Sequence, residues 1–287
     1  MRATGEPAPI VETGRPSNPA QPATRPPASC REPLRWLVAP WTVAVFYPIV
    51  LVTTVLWGFL AVVLSAVNRR VGHHCGTVWA WCLTRTSFVR VVVDGREHMQ
   101  HGRSYVIMTN HQGDYDILAL YGDLRRQFRW VMKAELRKVP FLGWGCAAIG
   151  HVFVDRSNSR AAIASLEAAK PRLTGGVSVL FFPEGTRSTD GRLLPFKKGG
   201  FVMARQLGFP ILPLSISGSA RILPKRCLLP RPGTIRIRIH PAIDPAAYPS
   251  DPALIAAVRA AVASGLEPDE GGGERPEQPV SPASARS

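Results

Sequence analysis

The chain has 287 residues, a hydrophobic fraction of 46% and a formal net charge of +15. Once polar ends are set aside, this length suits one catalytic domain with a large hydrophobic core. The five cysteines are odd in number and contain no C-x-x-C pair, which excludes a disulfide framework and a zinc knuckle from the expectation. The positive charge fits nucleic acid, an anionic membrane surface or an anionic substrate equally well, so charge does not choose among these partners.

Both ends of the chain are predicted to be disordered. Residues 1–33 are rich in proline and poor in large apolar side chains, and residues 267–287 are rich in Pro, Gly, Ser and charged residues. Such segments bury too little apolar surface to offset the chain entropy that is lost on folding. The organised part of the chain is therefore expected between residues 34 and 266.

The segment from Trp36 to Val67 contains no Asp, Glu, Lys, Arg or His. One helix needs about 20 apolar residues to cross the hydrocarbon of a bilayer, so this segment is longer than one crossing requires. Residues 34–70 are predicted to form a membrane-associated helical segment, either one tilted spanning helix or two short helices in one leaflet. Four flanking basic residues are expected among phosphate headgroups: Arg31, Arg35, Arg69 and Arg70.

Residues 71–266 are predicted to form an α/β catalytic domain with a mixed central sheet flanked by helices. Short β-rich runs alternate there with stretches of helical periodicity, which is typical of helices packed on a sheet. The predicted strands are Phe88–Val93, Tyr105–Met108, Val152–Val154, Val177–Phe182, Ile211–Ile216 and Thr234–Ile239. The predicted helices are Tyr115–Arg126, Ser159–Leu173, Gly199–Leu207 and Pro252–Leu266.

A histidine and a carboxylate follow the second predicted strand, five residues apart, as His111 and Asp116. If His111 stands outside the following helix, Asp116 can hold its imidazole in the tautomer whose other nitrogen accepts a proton from an alcohol. Gly113 permits the bend that this requires, and Asp114 is the rival carboxylate. An H-x4-D pattern is weak alone, so its neighbours decide its meaning.

A second candidate loop runs from Phe181 to Ser188, after another predicted strand. Gly185 allows backbone amides to approach an anion closely, and the Arg187 guanidinium can bind phosphate oxygens in a bidentate fork. Strand ends are where open α/β sheets usually bind their ligands. A base and an anion site together indicate group transfer onto a phosphorylated alcohol.

The chain resembles the glycerolipid acyltransferase family. Four blocks match the motifs of that family in order, and the ordered set is far more specific than any single block. The resemblance covers approximately residues 88–218, and a further block, Trp130–Leu136, also fits it. The four blocks are Asn110–Asp116, Gly150–Arg156, Phe182–Ser188 and Phe209–Pro213.

The resemblance implies acyl transfer from a thioester, acyl-CoA or acyl carrier protein, onto a glycerol hydroxyl. No covalent acyl-enzyme, metal or cofactor is implied beyond the acyl donor. His111 would be the general base and Asp116 its partner, and a thiol is a good leaving group. The resemblance places the acceptor phosphate near six residues: Glu184, Gly185, Thr186, Arg187, Arg156 and Lys133.

Lysophosphatidic acid (1-acylglycerol-3-phosphate) is the expected acceptor and phosphatidic acid the expected product. The expected location is the inner or cytoplasmic membrane, among membrane lipids, with the catalytic domain facing the cytoplasm where both donors occur. Another lyso-lipid, such as lyso-ornithine lipid or a lysophospholipid, is the alternative acceptor. A nonenzymatic membrane lipid-binding or scaffold protein is the alternative from another class. No nucleic acid is expected, because aromatic and basic residues do not interleave around a recognisable binding module.

Overall fold

The computed structural model describes residues 32–155, 164–165, 167–173 and 175–270. The predicted disorder of residues 1–31 and 271–287 lies outside this range. The predicted helix Ser159–Leu173 falls only partly within it, and residues 164–165 and 167–169 are helical.

A seven-stranded sheet in the order β1-β7-β6-β2-β5-β3-β4 forms the centre of the molecule. Its neighbouring strands are parallel except β6 and β7, which pair antiparallel. The prediction of a mixed sheet flanked by helices is confirmed. One strand, β3, was not predicted, because its pattern of large apolar residues is interrupted by Arg129. The strands are β1 (Val89–Asp94), β2 (Val106–Thr109), β3 (Phe128–Lys133), β4 (Val152–Val154), β5 (Ser178–Phe181), β6 (Ile211–Ser217) and β7 (Gly233–Ile239).

Helices cover both faces of this sheet, and an N-terminal group of helices precedes its first strand. The N-terminal helical segment includes a π-helical stretch, Thr42–Phe46. Helix α4 was not predicted, since paired histidines and two glycines obscure its apolar face. The labelled helices are α1 (Pro33–Leu37), α2 (Ala39–Trp41), α3 (Tyr47–Val67), α4 (Arg69–Thr86), α5 (Tyr115–Asp123), α6 (Leu142–Ile149), α7 (Gly199–Leu207), α8 (Ser219–Ile222) and α9 (Asp251–Ser264).

Two hydrophobic cores lie on opposite faces of the sheet. Side chains alternate between the faces of a strand, so Ile107 joins one core and its neighbour Val106 joins the other. The first core includes Leu120 of α5, and the second includes Phe201 of α7 and Val258 of α9. Strand β2, buried on both faces, is thereby fixed in position, and so is the loop that follows it.

The N-terminal apolar segment, Pro33–Val67, is long and apolar enough to cross a membrane. Its α3 part nevertheless packs closely on the rest of the molecule. A Cβ added to Gly58 would lie 2.7 Å from the carbonyl oxygen of Phe141, and one added to Gly72 of α4 would lie 1.9 Å from Ser65 Oγ. These glycines allow α3 to approach both neighbours. The opposite face of α3 exposes large apolar side chains: Leu51, Val52, Val55, Leu56, Phe59, Val62, Val63 and Val67.

Arg35 does not lie among headgroups, as the sequence led us to expect. Its side chain is fully buried, and its guanidinium donates to the carbonyl oxygens of Ile222, Leu229 and Arg221, each at 2.6 Å. The three carbonyls satisfy donors that would otherwise require water or phosphate. Arg35 therefore attaches the start of the N-terminal helices to the catalytic domain.

The C-terminal boundary of the ordered chain also differs from the expectation. Residues 267–270 are ordered, because Glu270 is buried and its Oε1 accepts a hydrogen bond from the backbone amide of Gly218 at 2.9 Å. The predicted disordered tail therefore begins too early. Cys227 is disulfide-bonded, whereas Cys75, Cys82 and Cys146 are free thiols, and the number and spacing of the cysteines did not indicate this bond.

Candidate active site

The candidate catalytic residues meet where three parallel strands end. His111 follows β2, the loop containing Arg187 follows β5, and Lys133 is the last residue of β3. Strand β5 lies between β2 and β3 and is parallel to both. Parallel strands place their carboxyl ends on one edge of a sheet, so residues distant in sequence share one site.

His111 and Asp116 form the pair that the sequence predicts. The His111 Nδ1 atom lies 2.8 Å from Asp116 Oδ2, and the Asp116 side chain is fully buried. The same Oδ2 accepts hydrogen bonds from the backbone amides of Gln112 at 2.7 Å and Gly113 at 2.9 Å. Because an ionised carboxylate only accepts, His111 carries its proton on Nδ1 and leaves Nε2 free to accept another. His111 stands outside α5, as the sequence argument requires.

An aromatic stack fixes the plane of the His111 imidazole. The ring lies on Phe182, with ring centroids 3.8 Å apart and an angle of 10° between the planes. Trp130 stacks on Phe182 in turn, with centroids 5.6 Å apart. With Nδ1 held by Asp116 and one face held by Phe182, the imidazole has little freedom to turn away.

Glu184 joins the two candidate loops. One carboxylate oxygen accepts the backbone amide of His111 at 2.8 Å, and the other accepts that of Leu194 at 3.2 Å. Burial raises the pKa of the Glu184 carboxyl to about 8, although both amide hydrogen bonds act in the opposite direction. These contacts give Glu184 a role in positioning His111, while the substrate contact that the resemblance implies remains a prediction.

Arg187 pairs with Asp114, the rival carboxylate, through a direct contact at the surface. Asp114 therefore does not compete with Asp116 for the imidazole. Beside this pair, Lys225 donates to Thr186 Oγ1 at 3.4 Å and to the Arg187 carbonyl at 3.3 Å. Gly185 has a φ of +72°, a conformation that favours glycine and turns the loop tightly.

Two other cations, Lys133 and Arg156, were predicted to lie near the acceptor phosphate. Lys133 is largely exposed and forms an ion pair with Glu135 at 2.9 Å. Arg156 lies outside the described residues. Lys225 was missed by the sequence analysis, because it lies far along the chain in a stretch without strand or helix periodicity. Only the fold brings it beside Thr186.

A cavity of about 570 Å³ opens at this group of residues. His111, Thr186, Arg187 and Lys133 line its polar part. Its other walls come from the sheet, from the N-terminal helices and from α4, α5 and α6. The apolar lining includes Phe46, Val50, Trp79, Leu83, Leu118, Met132 and Leu142. A base and cations therefore adjoin a long apolar space, a combination suited to an amphiphilic substrate.

Comparison with known proteins agrees with this geometry. A family model described as Acyltransferase matches residues 90–217. A 1-acyl-sn-glycerol-3-phosphate acyltransferase from Chlamydomonas reinhardtii is 33% identical over 80% of this chain and 68% of its own. The chain belongs to the acyltransferase family. Its resemblance to the glycerolipid acyltransferases, inferred from four ordered motifs, is confirmed.

Two bacterial relatives extend this result. The 1-acyl-sn-glycerol-3-phosphate acyltransferase of Pseudomonas aeruginosa is 31% identical over 69% of this chain and 79% of its own. The crystal structure of the 1-acyl-sn-glycerophosphate acyltransferase PlsC from Thermotoga maritima superposes with a TM-score of 0.68 and 30% identity. That match covers 79% of this acyltransferase and 94% of the Thermotoga chain. The N-terminal apolar helix and these relatives indicate membrane association.

Proposed function

We propose that this acyltransferase transfers an acyl group from a thioester to the free hydroxyl of 1-acylglycerol-3-phosphate, giving phosphatidic acid. The observation that carries the proposal is the His111–Asp116 pair, which lies beside Arg187 at the opening of an apolar cavity. The names of the relatives support the same acceptor. Formation of labelled phosphatidic acid from a labelled acyl thioester tests the proposal.

His111 acts as the general base in the proposed mechanism. Its Nε2 takes the proton of the acceptor hydroxyl as that oxygen forms a bond with the thioester carbonyl carbon. When the carbon–sulfur bond breaks, the imidazolium returns the proton to the leaving thiolate, so the enzyme ends unchanged. The free cysteine that lines the cavity is unsuited to covalent catalysis, since burial raises the pKa of the Cys146 thiol to about 12.

The acceptor phosphate is proposed to bind beside Arg187. Arg187 and Lys133 line the polar part of the cavity together with Thr186, and Lys225 adds a positive charge next to Thr186. A guanidinium can bind two phosphate oxygens at once, and a phosphate displaces the exposed Asp114 carboxylate at small cost because surface ion pairs are weak. A phosphate monoester uses this set of cations better than a zwitterionic or uncharged acceptor does.

Arg187→Ala is expected to raise the acceptor KM while leaving kcat within a few-fold of wild type. Loss of one charge-assisted hydrogen-bonding group should raise KM on the order of tenfold to a hundredfold. Steady-state kinetics with varied lysophosphatidic acid measure both constants. Arg192→Ala is the control, because Arg192 is an exposed arginine in the same connection between β5 and α7 but does not line the cavity. A fall in kcat with an unchanged KM would contradict phosphate binding by Arg187.

The apolar part of the cavity is proposed to hold the transferred acyl chain. Cys146 lies where the large cavity meets a small apolar pocket lined by Trp57, Gly58 and Gly76. A longer chain can extend past Cys146 toward this pocket, whereas a shorter chain ends before it. The donor is a thioester of CoA or of acyl carrier protein, and no further cofactor is required.

Cys146→Phe is expected to shift donor preference toward shorter chains. The phenyl group would fill space used by several methylenes, each of which contributes about 0.8 kcal/mol when buried. We expect the ratio of kcat/KM for long to short donors to fall about tenfold, within the range that pocket shape can deliver. Cys82→Phe is the control, since Cys82 lies on α4 and does not line the cavity. An unchanged ratio for Cys146→Phe would place the acyl chain elsewhere.

The N-terminal helices are proposed to lie within one leaflet, with the catalytic domain on the cytoplasmic side. Helix α3 packs on α4 and α6 with one face and exposes an apolar surface on the other. If α3 crossed the bilayer, α4 and α6, which pack on it, would accompany it and carry polar residues such as the exposed His74 of α4 into hydrocarbon, which is unfavourable. An in-plane position buries the apolar face alone and gives the cavity access to lipid.

A further inference from the structure

Four arginines surround a second cavity, of about 370 Å³, away from His111. The cavity lies where α3 ends and α4 begins, and it also contacts the beginnings of β3 and β5. His111 follows the carboxyl end of β2, so the two cavities belong to opposite ends of the parallel strands. We call the four residues the arginine cluster: Arg69, Arg70, Arg129 and Arg172.

Among the described residues, no carboxylate forms an ion pair with the arginine cluster. Arg129 is only 3% exposed, and its Nη1 donates to uncharged oxygens, Phe128 O at 2.9 Å and Gln127 Oε1 at 3.3 Å. Burial lowers the pKa of Arg129 to about 10, with Tyr121 acting in the opposite direction, so the guanidinium stays charged at neutral pH. A buried charge of this kind is stabilised by a bound counter-charge.

Gly150 keeps the space between two of these guanidiniums open. It has a φ of +94°, and Arg69 Nη1 and Arg129 Nε each lie 3.8 Å from the position that a Cβ would occupy. The amino terminus of α4 faces the same cavity, with Asn68 capping the Arg70 amide at 2.8 Å and with no acidic residue in the first turn. Guanidiniums and helix amino termini are both groups that bind phosphate well.

The surroundings of the cavity indicate where the phosphate comes from. Val67, the last residue of α3, lines the cavity and is 90% exposed. The apolar outer face of α3 ends there, so a bilayer that contacts this face places its headgroups at the cavity opening. We propose that the arginine cluster binds the phosphate group of an anionic membrane phospholipid, at a site separate from the one that holds the acceptor. Such binding would fix the depth and rotation of the enzyme on the membrane.

The test compares two double variants that lose the same charge. Arg69→Gln with Arg172→Gln removes two of the three exposed members of the cluster, and Arg90→Gln with Arg236→Gln removes two exposed arginines from β1 and β7, at the opposite edge of the sheet. Partitioning is measured on phosphatidylcholine vesicles with and without phosphatidylglycerol, at one ionic strength. We expect the cluster variant to bind the phosphatidylglycerol vesicles about thirtyfold more weakly than wild type, and the control variant to bind within a few-fold of wild type. Equal losses in both variants would show an effect of net charge only and would overturn the proposal.

A second arm separates lipid phosphate from the phosphates of a soluble donor. Coenzyme A is added during thermal unfolding of the wild type and both variants. If coenzyme A raises the Tm of wild type but not of the cluster variant, while vesicle binding is unchanged, the site belongs to the donor and the lipid proposal fails. Should the double variant unfold, Arg172→Gln against Arg236→Gln gives the same comparison. Vesicle binding requires no turnover, so its outcome is independent of the proposed acyl transfer.

Discussion

His111→Ala is expected to lower kcat for acyl transfer by about 10²- to 10⁴-fold while the protein still folds and binds lipid. The substitution removes the only described nitrogen base that is held by a buried carboxylate at the opening of the large cavity. Alanine also removes one face of the stack on Phe182, a loss of packing at a partly exposed side chain. The rate is measured with saturating labelled donor and lysophosphatidic acid.

Asp116→Asn separates the chemistry of this pair from its packing. Asparagine keeps the shape of the side chain, but its amide no longer provides an ionised acceptor for both His111 and the amides of Gln112 and Gly113. We expect a large loss of kcat with a small change in acceptor KM, because the imidazole loses its preferred tautomer and the stabilisation of its protonated form. A wild-type rate in His111→Ala would end the assignment of the base, and a normal rate in Asp116→Asn would end that of its partner.

The stability of the fold is expected to fall steeply as the pH drops below about 6.5. Burial lowers the pKa of His73 to about 3 and that of His240 to about 4, and it lowers the pKa of His151 well below its usual value. The unfolded chain therefore binds more protons than the folded chain in the range between pH 6.5 and 4. Stability rises with pH where the unfolded state binds more protons, so it is present above the unfolded pKa and lost as the pH falls.

Each buried histidine should contribute a slope of about 1.4 kcal/mol per pH unit in the free energy of unfolding. His73 Nδ1 is buried without a hydrogen-bond partner, so a proton there would leave an unsatisfied charged donor. Urea unfolding of wild type and His240→Asn between pH 7.5 and 5 measures this slope. Below pH 6.5 the slope should be smaller in the variant by about 1.4 kcal/mol per pH unit, the contribution of one histidine. His101→Asn, at an exposed position, should keep the wild-type slope. Equal slopes in wild type and His240→Asn would contradict a neutral, buried His240.

The sequence predicts those parts of the molecule that depend on interactions between residues close together in the chain. Strand β2 and the helix after it follow from a continuous apolar run and helical periodicity, and the His111–Asp116 contact follows from a bend that Gly113 allows. The order of the four motifs identifies the family without the structure. The pairing of Arg187 with Asp114 and the approach of Lys225 depend on which strands become neighbours. The spacing of residues within a loop does not reveal which strands become neighbours in the sheet.

Burial is the property that the sequence predicts least well for charged residues. Arg35 and Arg129 are both basic residues near apolar runs, where interfacial positions are the ordinary expectation. Arg35 is instead held by three backbone carbonyls, and Arg129 lies in β3 beside a cavity. The amide contacts of Glu184 are similarly set by the distance between two loops rather than by its own motif.

The proposed reaction acylates the hydroxyl of a phosphate monoester, with His111 as the base and with Arg187 and its neighbouring cations binding the phosphate. Labelled acyl transfer should be measured with lysophosphatidic acid and with lysophosphatidylcholine of the same acyl chain, using acyl-CoA and acyl carrier protein as donors. We expect phosphatidic acid from wild type with at least one donor, at most about one hundredth of that rate from His111→Ala, and little product from lysophosphatidylcholine. Efficient acylation of lysophosphatidylcholine or lyso-ornithine lipid without conversion of lysophosphatidic acid would contradict the proposed acceptor. The absence of acylation with every acceptor would contradict the proposed acyl-transfer activity.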